Sequence, residues 1–170
     1  MNPEQLQRST TTDGQPARPG FESAGAPAPL NPNTGQHEAY WVLKAEERAQ
    51  GLVRPVRCSY KHVGSRPKYP TRELTAEEVE RYRNYGYACF EEYPESEGPK
   101  GKYWTTKQLS SGCGTVTTMG RAIAETYARD PKYYGSTFCC GCGVHLPVGE
   151  AGEFVWMTED GKETSERVGT

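Results

Sequence analysis

The stretch TFCCGCGVHLPVGEAGEFVW, Thr137 to Trp156, puts three cysteines and a histidine within seven residues and then runs into an apolar, strand-like segment. Cys139-Cys140-Gly141-Cys142-Gly143 contains C-x-x-C-G, the spacing of a zinc knuckle. Two residues between thiolates let both sulfurs face one ion while the intervening N–H groups point back at them. A glycine after the second cysteine accommodates the positive φ of the tight turn. The strand-like STF before it and VHLPV after it predict a β-ribbon whose turn grips the ion.

A tetrahedral site needs two more ligands. His145 stands three residues beyond Cys142, and Cys113, between two glycines, is the best distant thiol. The expected metal set is therefore Cys113, Cys139, Cys142 and His145. Cys58 and His62 form a second candidate pair in C-x3-H spacing. Cys89 lies in an apolar strand pattern and reads as a small buried hydrophobe; Cys140 reads as a spare.

Rival readings of the cluster are weaker. A redox C-x-x-C opens a helix that lowers the first thiol's pKa, whereas glycine, valine and proline follow here. A disulfide framework needs an oxidising compartment. A zinc deaminase needs H-x-E and then P-C-x-x-C, but His37 and Glu38 are adjacent and no proline precedes Cys139. Sulfur-rich knuckles are closed sites that hold a fold together, so the expected ion is structural zinc.

The rest of the chain sets the frame. Its 170 residues suit one domain with a tail, and its 19 glycines and 13 prolines favour short strands and turns over a helical bundle. A net charge of −2 disfavours duplex nucleic acid as the main partner. No apolar run approaches the roughly 18 to 20 residues of a membrane span, and Met1 to Gly20 lacks the apolar core of a signal peptide. The expected location is cytoplasmic.

Residues 1–36 hold six prolines and four glycines with few large apolar residues, the composition of a flexible or partner-bound arm. Residues 37–170 read as a single α+β domain, with the knuckle-like part over about 111–160. The expected fold is a small antiparallel sheet with a zinc-ribbon-like C-terminal hairpin and two to three short helices. LTAEEVERYRNYG (74–86) is the clearest helix, with Thr75 and Glu78 forming a capping box and Gly86 at its end. A second helix is expected from about Met119 to Arg129, capped by Thr117 or Thr118 and stopped by Asp130-Pro131. Asp160-Gly161 signals a hairpin turn.

Two further places invite a ligand. Residues 53–72 carry Arg54, Arg57, Lys61, Arg66, Lys68 and Arg72 without an acid, and three prolines give them an extended, looped path. The loop SGCGTVTTMG (111–120), with Thr115, Thr117 and Thr118, resembles an anion-binding helix start but lacks the phosphate-loop lysine pattern. Together they suggest a nucleotide-phosphate site. The plainer account is that the basic stretch answers the eight glutamates of residues 73–98. None of the histidines, His37, His62 or His145, falls in a nucleophile or metalloprotease pattern.

NPNTGQHEAYWVL (31–43), SGCGTVTTMGRAIAETYARDPKYYGSTFC (111–139) and HLPVGE with GEFVW resemble stretches of a family of small uncharacterised phage, prophage and bacterial proteins. The resemblance spans most of the chain. It implies a viral or mobile-element setting and carries no mechanism or site residues with it. The expected function is a non-enzymatic zinc-knuckle module acting through a protein partner, in virion assembly or on a host factor, with the arm along the partner's surface. The alternatives are a binder that sequesters a nucleotide signal and a metal-dependent hydrolase with His145 or Glu150 near the ion.

Overall fold

A computed structural model describes residues 1–98 and 100–170, Ala24 by its backbone alone. The strands in chain order are β1 (Ser9–Thr11), β2 (Trp41–Leu43), β3 (Ser59–His62), β4 (Thr71–Glu73), β5 (Tyr87–Glu91), β6 (Lys102–Thr105), β7 (Val116–Thr118), β8 (Ser136–Cys139), β9 (Val144–Pro147), β10 (Phe154–Met157) and β11 (Glu163–Arg167). Helices α3 (Ala76–Tyr82) and α5 (Arg121–Arg129) are the longer ones, while α1 (Pro3–Gln7), α2 (Ala45–Arg48) and α4 (Thr106–Leu109) are single turns. The class is α+β. The antiparallel strands divide among four small sheets where one was expected, because glycines and prolines interrupt them every few residues.

The largest sheet has the order β11-β10-β3-β7. All four residues of β10, Phe-Val-Trp-Met, are buried, as a central strand requires. Beside it, β3 alternates: Tyr60 and His62 point inward, and Lys61 points out to Glu163 at 3.0 Å. Residues 59–62 thus form an inner strand where an extended loop was expected. The prolines at 55, 67 and 70 all fall outside the hydrogen-bonded register, so they bracket the strand without breaking it.

Tyr60, Tyr127, Cys139, Leu146, Phe154, Trp156 and Val168 make the main core, so one knuckle cysteine is itself a core residue. Helix α5 covers this core with Tyr127 and is tied to β2 through Thr126, whose hydroxyl accepts the Leu43 N–H at 3.1 Å and donates to the Ala122 carbonyl at 2.7 Å. Its N-cap is Gly120, with no capping side chain. Thr117 and Thr118, the expected caps, belong instead to β7, where β-branched residues pair with β3.

Sheet β4-β5-β6 forms a second lobe with α3. The capping box is present: the Thr75 hydroxyl accepts the Glu78 N–H at 3.3 Å, and Glu78 accepts the Thr75 N–H at 2.9 Å. Glu91 is the buried anchor of this lobe, accepting the indole N–H of Trp104 at 2.7 Å and the backbone N–H of Tyr69 at 2.7 Å.

Residues 1–36, expected as a mobile or partner-bound arm, lie against their own domain in this structure. Strand β1 pairs with β2, and Ser9 Oγ meets Tyr133 OH at 2.6 Å. A Cβ at Gly35 would overlap the carbonyl oxygen of Gly143, so the arm is seated directly on the knuckle turn. Main-chain pairing and small-residue contact hold a segment too poor in apolar side chains to make a core of its own.

Candidate metal centre

Strands β8 and β9 form the ribbon, with Cys139 opposite Val144 and Phe138 opposite His145. The turn closes through the Gly143 N–H on the Cys139 carbonyl at 2.8 Å, and Gly143 takes φ +68°, the conformation the C-x-x-C-G pattern demands. The N–H groups of Gly141 and Cys142 point at Cys139 Sγ.

Three thiols and one imidazole converge here: His62, Cys113, Cys139 and Cys142 place one donor atom each within 4.8 Å of all the others. His62 Nδ1 lies 3.3 Å from Cys113 Sγ, 3.7 Å from Cys139 Sγ and 3.5 Å from Cys142 Sγ, and Cys113 Sγ lies 3.4 Å from Cys139 Sγ. Zinc bonds of about 2.3 Å to sulfur and about 2.0 Å to nitrogen require tetrahedral donor separations of roughly 3.5–3.8 Å. The donors fit a metal ion such as zinc.

His62 is set for ligation. Its Nδ1 accepts the Cys113 N–H at 3.3 Å, so the ring proton sits on Nε2, which donates to Glu153 Oε2 at 2.8 Å. A carboxylate behind a histidine fixes tautomer and ring plane in metal sites. Thr115 hydrogen-bonds Cys113 through hydroxyl and backbone, and Thr117 holds Cys140, accepting its N–H at 3.1 Å and donating to its sulfur at 3.2 Å.

The thiols differ in acidity. Burial alone would raise Cys113, but hydrogen bonds from the Thr115 hydroxyl and backbone, and then from Cys139, outweigh it and hold it down at about 6. Burial, then the neighbouring Cys113 and Cys139, pushes Cys142 up to about 12, and burial also raises Cys139. Three adjacent sulfurs cannot all ionise without a counter-charge, which a divalent cation supplies.

Of the expected set, Cys113, Cys139 and Cys142 are gathered, and His145 is not. It lies across the ribbon on the Phe138 side, its Nε2 3.1 Å from Tyr40 OH and its ring 5.0 Å from His37. Burial first, then His37, lowers its pKa. The fourth donor comes from the Cys58/His62 pair, whose histidine joins the thiols while Cys58 stays exposed elsewhere. The signal for His62 lay in the alternation of SYKH, which turns Tyr60 and His62 to one face. Cys140 is exposed beside the site, and Cys89 is half-buried in β5.

The other candidate ligand residues do not assemble around one space. Arg57 pairs with Glu166, Lys61 with Glu163 and Arg54 with the Thr170 carbonyl, whereas Thr115 and Thr117 serve the thiol cluster and Thr118 is exposed on β7. Further along the basic stretch, Arg72 meets Glu78 at 2.7 Å and Glu92 at 3.3 Å, as charge matching with residues 73–98 would have it.

No protein-family model, curated protein or solved structure matches the chain. No helix among the described residues is long and apolar enough to cross a membrane.

Proposed function

We propose that this chain is a non-enzymatic binding module stapled by a structural zinc ion, phage-associated as its resemblance implies, that acts through a macromolecular partner. The observation that carries the reading is the donor set. Three cysteines and a histidine gather four donor atoms within 4.8 Å of one another, enough to fill a tetrahedral ion's coordination and leave no open position for water or substrate. Bound there, zinc would neutralise the thiolates and cross-link β3, the loop before β7 and the β8–β9 ribbon. Two histidine–partner contacts support structure over hydrolysis: His62 Nε2 is committed to Glu153, and His145 to Tyr40. The cations Arg57 and Lys61 already face carboxylates, which favours the module over a nucleotide binder built on them. The arm, seated on the knuckle turn, would present its surface to the partner only while the zinc holds that turn in place.

Elemental analysis of freshly purified protein tests this. About one zinc per chain is expected, with cooperative unfolding on chelation. A folded chain without metal would overturn the staple. Substrate turnover that is lost on chelation and restored by metal would overturn the non-enzymatic reading.

A further inference from the structure

A second site lies beside Tyr60 and includes none of the four metal donors. A cavity of about 190 Å³ opens between the arm, the β7–α5 junction and β8. Its walls combine aromatic and apolar side chains, Tyr60, Tyr134, Phe138, Met119 and Ile123, with the hydroxyl residues Thr117, Ser136 and Thr137. Among the described residues, no Asp, Glu, Lys or Arg lines it. A roughly 150 Å³ apolar cavity admits benzene, so this space matches a single ring.

Hydrogen-bond donors converge on it from two ends. On the wall, Tyr127 is 3% exposed, and its hydroxyl completes no hydrogen bond of ordinary length among the described residues, although the Thr137 hydroxyl lies beside it. The protons of the neighbouring hydroxyls are committed: Thr137 donates to Tyr60, Tyr60 to the Phe138 carbonyl, and Tyr134 to the Trp41 carbonyl at 2.7 Å. An unsatisfied buried hydroxyl costs free energy and is rare in a folded protein unless something completes it. Gly120, which lines the cavity, is the N-cap of the nine-residue helix α5 and no side chain caps it; the Ile123 N–H turns back to the Gly120 carbonyl at 3.1 Å, so the N–H groups of Arg121 and Ala122 carry the positive end of the helix dipole. Gln36 and Thr118 also line the cavity.

We propose that this cavity binds an uncharged, single-ring molecule bearing carbonyl acceptors, with the ring between the aromatic walls, one carbonyl on the Tyr127 hydroxyl and another toward the α5 N-terminus. The absence of charged side chains selects against ions, and the donors at both ends select against a plain hydrocarbon. A pyrimidine base, free or as the head of a larger ligand, has this chemistry. The site is independent of the metal reading, since none of its walls is a metal donor.

The test uses the full-length, metal-loaded chain and three probes followed by NMR: uracil, benzene and inorganic phosphate. Uracil is expected to shift the Met119 and Ile123 methyl resonances saturably, with benzene and phosphate failing to compete. Tyr127→Phe keeps the wall and removes only the unpartnered hydroxyl, so its melting temperature should hold or rise while uracil affinity falls roughly five- to tenfold. Benzene binding as well as uracil would make this a plain apolar void and overturn the proposal. So would competition by phosphate, which would mark an anion site at the helix, or uracil affinity unchanged by Tyr127→Phe. Binding of none of the probes would mean that the cavity holds water, and would overturn it too.

Discussion

His62 Nε2 and Glu153 Oε2 lie 2.8 Å apart with each side chain only 6% exposed. A buried carboxylate whose side chain bonds only to an imidazole has little reason to exist unless the imidazole's other nitrogen is put to use. That nitrogen, Nδ1, faces three thiols. Glu153→Gln keeps the volume and removes the charge behind the ring. Zinc affinity should fall about 10- to 100-fold, measured by competition with a chromophoric chelator, while the zinc-saturated variant keeps the native fold.

The two histidines near the knuckle separate cleanly by mutation. His62→Asn should yield protein with little zinc at purification, the remainder stripped by a chelator concentration that leaves the native chain loaded. His145→Asn should retain about one zinc per chain, because its ring contacts Tyr40, His37 and Phe138 and no thiol. Elemental analysis of the two variants reads the difference. Zinc lost from His145→Asn and kept in His62→Asn would reverse the assignment.

Metal uptake should be linked to pH with a definite sign. At pH 7.5 Cys113, held down at about 6, is a thiolate, while Cys139, raised by burial, and Cys142, pushed up to about 12, carry protons. Zinc binds thiolates, so loading the metal-free chain at that pH releases about two protons per ion. Affinity therefore falls as pH is lowered, and more steeply below about 6, where Cys113 also binds a proton. Titration with zinc in weakly buffered solution with an indicator dye counts the protons. Release of none would mean that the thiols are already ionised.

The arm can be released selectively. Ser9 Oγ and Tyr133 OH meet at 2.6 Å beneath the β1–β2 pairing, next to the trypsin-sensitive bond after Arg8. Tyr133→Phe should cost about 1 kcal/mol locally and speed cleavage after Arg8 roughly fivefold, with no change in zinc content. Equal cleavage rates in the two proteins would show that this contact does not hold the arm.

Local signals in the chain specify structure where one short segment contains all the necessary information. Thr75 and Glu78 make their reciprocal bonds three residues apart, Gly143 adopts positive φ directly after Cys142, and Gly161 turns the β10–β11 hairpin. The inward face of β3 is not legible locally, because its flanking prolines and basic residues have the composition of a loop. Only pairing with β7 and β10, strands that follow it by more than 50 residues, turns His62 inward. The N-cap of α5 moved to Gly120 for the same reason, since Thr117 and Thr118 were claimed by β3.

The sequence by itself determined the two thiols of C-x-x-C-G, their turn and the ribbon around them, because backbone conformation over five residues is a matter of local sterics. The choice of His62 over His145, and the reach of Cys113 to the same point, were decided by tertiary structure. On the ribbon, His145 sits across from Phe138, so the strand alternation that turns Cys139 toward the core carries His145 to the other side. Residues 51 and 26 positions away from Cys113 reach its sulfur only when the β3–β7 pairing is made. No periodicity within a segment encodes that distance, and only packing the sheet against the knuckle closes it.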